Sequence, residues 1–254
     1  MDKPTAAILT VAKSVLGKGA AKIASRSGRK GGLSDDEKQM IVAFGTARDW
    51  LRWAASMSDI TFFSKGERDS ARKAGILESI RFLQIWTAAN ALFSKDPIIA
   101  LVRHSPGSAA PDGELKRFKV LYEFAKIPPV RETEYSQTLE KLLGMDCKAA
   151  DVIIKITGNN SPTMWEVIDQ KYVTPAYQNR RPWKRIHSAL AAGKKPTVIL
   201  PEVKYLARNW AVHGVLTSSF FRGSKMKYLT FVGTLIKATA DVLQRTATGL
   251  LPLL

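Results

Sequence analysis

With one cysteine in 254 residues, Cys147, the chain can form no internal disulfide, and such usage suits a reducing compartment. Histidine is also scarce. His104, His187 and His213 stand far apart, and neither Cys-x-x-Cys nor His-Glu-x-x-His occurs, so the sequence offers no zinc ligand set. A Walker loop, a Gly-x-Gly-x-x-Gly turn and a Gly-x-Ser-x-Gly turn are all missing, which removes common nucleotide-binding and hydrolase signatures. No apolar run approaches the about 20 residues that a membrane-crossing helix needs. The terminal Leu250-Leu251-Pro252-Leu253-Leu254 is too short, and Asp2, Lys13 and Lys18 break any signal-peptide pattern near the start. The expectation is a soluble, cytoplasmic protein without membrane contact. Carboxylates are the last deficit: 22 Asp plus Glu face 39 Lys plus Arg, for a formal net charge of +17.

That imbalance turns attention to what is present. A polycation is drawn to polyanions before specific contacts form, and nucleic acid is the first class to consider; an anionic membrane surface, or plain solubility by self-repulsion, are the alternatives. Hydrophobic residues make up 45% of the chain, enough for a folded core.

Helical periodicity dominates. Ile8, Val11, Ala12, Val15, Leu16 and Ile23 recur at threes and fours, on a helix made basic by Lys3, Lys13, Lys18 and Lys22. A Gly- and Ser-rich basic loop over residues 25–32 follows. Ser34 and Glu37 then have capping-box spacing, before a helix carrying Met40, Ile41, Phe44, Ala47, Trp50, Leu51 and Ala54. A long helix is expected over residues 67–93, with Leu77, Ile80, Leu83, Ile85, Trp86, Ala89 and Leu92 inward, ended or kinked by Asp96-Pro97. Residues 105–113 form a loop. Short helices are expected at 115–124, 136–143, 163–172 and 183–191, while 152–156 and 197–200 suit a strand or a buried helical turn equally. Pro201 suits the first turn of a helix that continues through Tyr205, Leu206, Trp210 and His213. A last amphipathic helix spans 224–246, with Leu229, Val232, Leu235, Ile236, Val242 and Leu243 apolar. The expected fold is all-α: one helical domain over 1–254, with residues 105–196 as an insertion that could form a subdomain.

Ala207-Arg208-Asn209-Trp210-Ala211-Val212-His213-Gly214 is the segment with chemistry in it. On a helix Asn209 and His213 share a face. Arg208 lies about 140° round from His213, within the sweep of its long side chain. An imidazole that titrates near neutrality can move protons, and a guanidinium can clamp a phosphate with paired donors. RNA cleavage needs little more, because the 2′-OH nucleophile is already in the substrate. The same spacing also arises from a packed histidine at a helix end and an unrelated surface arginine.

The run Arg208-Asn209-x-x-x-His213, followed by Gly214, resembles the Arg-x4–6-His signature of the HEPN superfamily. The segment Arg81-Phe82-Leu83-Gln84-Ile85-Trp86-Thr87-Ala88-Ala89-Asn90-Ala91-Leu92-Phe93 resembles the aromatic-Trp-small-Asn helix found in many members. The resemblance implies a HEPN-like helical bundle that forms a homodimer with two motifs facing one cleft. It implies a metal-independent, cofactor-free RNA endonuclease, often a toxin or phage-defence effector partnered by an antitoxin or regulatory protein. Carried over, Arg208 and His213 form the catalytic pair and Asn209 is a polar helper, with Arg81 a further candidate for the cleft. Asn90 and Trp86 are expected to pack or hydrogen-bond inside the bundle, or alternatively to touch and support the motif helix. The long section over 105–196 departs from a minimal bundle. Within it, Arg180, Arg181, Trp183, Lys184 and Arg185 interleave cations with an aromatic, a pattern that tracks a phosphate backbone while the ring stacks on a base, or equally a solvated loop with Trp183 in the core. The basic N-terminal helix and loop could likewise meet RNA or a membrane surface. A non-catalytic RNA- or partner-binding module and a nucleic-acid packaging protein are the alternatives to a nuclease.

Overall fold

A computed structural model describes residues 3–58, 70–105, 109–143, 201, 208 and 225–254. Among them every regular element is helical. The α-helices are α1 (Lys3–Ala24), α2 (Asp35–Ser56), α3 (Ser70–Phe93), α4 (Asp96–Val102), α5 (Glu114–Ala125), α6 (Pro129–Leu143) and α7 (Lys225–Leu250). Short 3-10 turns follow α1 at Ser25–Gly28 and close the chain at Leu251–Leu253. The ambiguous segments 152–156 and 197–200, and the helices expected at 163–172 and 183–191, lie outside the described residues.

By contact the chain forms two compact units: Met1–Ser58 with Ile80–Pro128 and Ile236–Leu254, and Asp59–Ser79 with Pro129–Leu235. In the first unit α1 packs along α2. The buried arc of α1 is Thr5, Leu9, Ala12, Leu16, Gly19 and Ile23, a strict alternation of fours and threes. This corrects the expected stripe: Leu9 is core, whereas Val11 is 44% exposed. Gly19 allows the close approach, because a Cβ there would lie 3.2 Å from Leu254 Cδ1 and 3.6 Å from the Phe44 ring. The carboxyl-terminal turn is thus held against α1, and Lys22 Nζ donates to Leu251 O at 3.2 Å.

The predicted capping box is present. Glu37 N donates to Ser34 Oγ at 3.2 Å, and Ser34 N donates to Glu37 Oε2 at 3.0 Å, which satisfies two amides that a helix start leaves without partners. Arg26 Nη1 donates to Glu37 Oε1 at 3.0 Å and ties the 3-10 turn to α2. The Ser34 backbone hydrogen bond, followed by the Arg26 contact, holds the Glu37 carboxyl below its ordinary value of 4.5. A lowered pKa means that the stabilisation is complete above the ordinary value and is lost as pH falls through the lowered one. Ser34→Ala is expected to cost about 1 kcal/mol in urea denaturation at neutral pH. A change below the error of that measurement would show the cap to be replaced by water.

The expected break at Asp96-Pro97 is also present. Helix α3 ends at Phe93, and Pro97 sits in the first turn of α4, where its missing N–H costs nothing. Arg117 on α5 fastens this corner: its guanidinium donates to Ser94 O at 3.0 Å and Pro111 O at 3.0 Å, and pairs with Asp96 at 2.7 Å. Beneath it lies an aromatic cluster, with Trp86 and Phe118 at 4.6 Å between ring centroids, Phe93 and Phe118 at 5.8 Å, and Trp86 and Phe93 at 6.0 Å. Two boundaries differ from expectation: α6 begins at Pro129 rather than 136, and α7 runs on to Leu250. From Ile236 to Leu243 helix α7 is covered nearly all round, with Lys237 the half-buried exception.

Candidate functional site

Among the predicted catalytic residues the structure describes Arg208, which is helical and half-buried. Pro201, expected to open that helix, is helical and buried. Asn209, His213, Arg180, Arg181, Trp183, Lys184 and Arg185 lie outside the described residues.

Arg81 has a different place from the one expected. It is 4% exposed, and its Nε donates to Ala54 O at 2.9 Å while Nη2 donates to Met57 O. Both acceptors belong to the last turn of α2 and the residue that caps it, where a helix leaves carbonyls without partners and favours a cation. Its spacing on α3 puts it against the end of α2 and not in an open cleft. Arg81→Met keeps the stem and strands both carbonyls, so a loss of about 2 kcal/mol is expected in thermal or urea unfolding. Full retention of stability would mean that water replaces the guanidinium at both acceptors.

The Trp86 segment packs inside, as expected. Trp86 is 2% exposed and its Nε1 donates to Glu114 Oε1 at 3.2 Å, while Asn90 is half-buried one turn on. In the second unit, Ser79 Oγ donates to Gly75 O at 3.0 Å, so the Tyr228 hydroxyl donates to Ser79 Oγ. Burial pushes the Tyr228 hydroxyl above its ordinary pKa, against a smaller opposing effect of the Ser79 contact. A tyrosine so placed stays neutral near pH 7 and serves as a fixed donor.

Periodicity gave no warning of one buried acid. Asp241 is fully buried on α7, 3.8 Å from Arg245 Nε one turn along, and Arg245 Nη1 donates to Lys126 O at 3.5 Å. The signal was available: an acid inside an otherwise apolar stretch, with an arginine four residues later, marks a partnered pair.

Among the described residues, a concentration of positive charge lies on α1 and the turn after it. From Lys3 to Ser34 there are seven cations and no carboxylate. Lys3, Lys18, Lys22, Arg29 and Lys30 are exposed, on the side of the helix away from the buried arc or in the turn beyond it. No family model, curated protein or solved structure matches the chain.

Proposed function

We propose that the chain is a HEPN-type endoribonuclease that needs no metal, works as a homodimer and serves as a toxin or phage-defence effector under the control of an antitoxin or regulatory protein. The observation that carries this reading is the run Arg208-Asn209-x-x-x-His213. Three further facts support it: Arg208 is helical, the described elements are all helical, and the formal charge of +17 favours a polyanionic substrate.

In the proposed reaction His213 takes the proton from the substrate 2′-OH. The 2′ oxygen forms a bond to the adjacent phosphorus, and the bond from phosphorus to the 5′ oxygen breaks. Arg208 neutralises the charge that gathers on the non-bridging oxygens with paired N–H donors. The leaving 5′ oxygen receives a proton, from the imidazolium just formed or from the facing motif of a second copy. Asn209, four residues before His213 in the sequence, donates to the phosphate or orients the ring.

This reaction has a chemical signature. Incubation with RNA in excess EDTA is expected to yield fragments with 2′,3′-cyclic phosphate and 5′-OH ends, read by end-specific labelling and mass spectrometry. Fragments with 5′-phosphate ends, or tight binding without any cleavage, would overturn the assignment; the second result would leave an RNA-binding module.

A further inference from the structure

The cationic side of α1 has a feature that separates two kinds of polyanion. A helix that lies in a membrane surface needs its apolar side for the acyl chains and its basic side for the headgroups. In α1 the apolar side is already used: Leu9, Leu16 and Ile23 are at most 1% exposed, against α2 and the carboxyl-terminal turn. What remains in solvent is the side that carries Lys3 and Lys18, with Val11 an isolated apolar side chain on it. A surface with cations and no free apolar face suits a partner that offers phosphates along a line, which is a nucleic-acid backbone.

The local geometry holds these cations in place. Lys18 and Lys22 are one helical turn apart on the exposed side of α1. The 3-10 turn at Ser25–Gly28 continues the chain to Arg29 and Lys30, and the contact of Arg26 with Glu37 pins that turn to the start of α2. The carboxylates that follow next in the sequence are largely engaged: Asp35 with Lys38 at 2.9 Å and Glu37 with Arg26 at 3.0 Å, which leaves Asp36. Lys18, Arg29 and Lys30 have no ion-pair partner among the described residues.

We infer that the exposed side of α1 and the following turn, centred on Lys18, Arg29 and Lys30 with Lys22, which donates to Leu251 O, at its edge, is a docking surface for the phosphate backbone of RNA, additional to the Arg208–His213 motif. RNA as the particular nucleic acid rests on the proposed function; the phosphate-binding surface does not. Contacts of this kind carry no base information, so the surface gives affinity and register while the motif performs the cleavage.

The test is equilibrium binding of fluorescein-labelled poly(U) at several salt concentrations, with every protein carrying His213→Ala so that no RNA is consumed. Lys18→Gln, Arg29→Gln and Lys30→Gln are combined in one variant. A second variant removes the same charge elsewhere, at Lys95, Arg103 and Lys116. Circular dichroism and the thermal midpoint confirm that both fold. Loss of three phosphate contacts lowers the steepness of log K against log salt by about 2 and weakens binding about 50-fold near 0.15 M salt. The second variant keeps the parent slope. Equal losses in the two variants overturn the proposal, since net charge would then account for the effect, and so does an unchanged slope in the first. A third arm uses vesicles of phosphatidylserine and phosphatidylcholine: loss of vesicle binding in the first variant, with poly(U) binding intact, assigns the surface to a membrane and overturns it also. None of these outcomes depends on cleavage, so failure of the nuclease reading and failure of the docking surface are told apart.

Discussion

His213→Ala is expected to lower the rate of RNA cleavage by about 10²- to 10⁴-fold, the range usually supplied by a positioned proton-transfer group. The imidazole takes the 2′-OH proton in the proposed reaction, and no neighbouring side chain in the motif replaces it near neutrality. Arg208→Lys is the informative companion. It keeps the charge but replaces a planar fork with a point charge, so the developing phosphorane loses paired donors. A loss of about 10²-fold in kcat, with little change in KM, is expected if the guanidinium acts chiefly on the transition state. Circular dichroism should show both variants folded. Full activity in His213→Ala would remove the nuclease assignment whatever Arg208→Lys does. Equal losses in KM and none in kcat for Arg208→Lys would make the arginine a binding group only.

The largest effect on stability is expected at Trp86. Its ring packs on Phe118 at 4.6 Å and Phe93 at 6.0 Å, and its indole N–H donates to Glu114 on the next long helix. Trp86→Ala opens a cavity that rigid helices cannot fill and strands the Glu114 contact, at a cost of about 3–5 kcal/mol. Against a typical domain stability of about 5–15 kcal/mol, that change alone can bring the protein close to unfolding at 37 °C. Trp86→Phe keeps most of the ring packing and loses the hydrogen bond, so about 1–2 kcal/mol is expected. Urea denaturation followed by circular dichroism measures both. A cost below about 1 kcal/mol for Trp86→Ala would mean that the surrounding helices collapse onto the site, contrary to a close-packed core.

The two predictions rest on different kinds of information. The start of α2 and the break between α3 and α4 were legible because local chemistry sets them, whereas the start of α6 and the end of α7 were not. Ser34 and Glu37 close a reciprocal pair of hydrogen bonds within four residues, and Pro97 ends one hydrogen-bond ladder while suiting the start of the next. The candidate site was legible as a spacing, since Arg208 to His213 is a statement about one stretch of chain. Convergence on a phosphate is not local. It depends on rotamers, on what packs around the segment and, in the proposed dimer, on a second copy of the motif.

Arg81 and Asp241 show the same division. Seen along the chain, Arg81 is one more cation in a basic protein and a fair candidate for a phosphate cleft. Folded, it is the group that completes the end of α2. Asp241 looks like an interruption in an apolar helix, and its burial beside Arg245 depends on how many neighbours surround α7.

By itself the sequence determined the helical class, the cap and break positions and the excess of cations, because periodicity, hydrogen-bonding side chains and charge act over a few residues or sum over all of them. Only the tertiary structure decided that Leu9 and not Val11 is core, that Arg81 serves a helix end, and that α1 keeps Lys3 and Lys18 in solvent. The reason is geometric. A helix offers its whole circumference, and the arc that loses water is chosen by the surfaces that close on it.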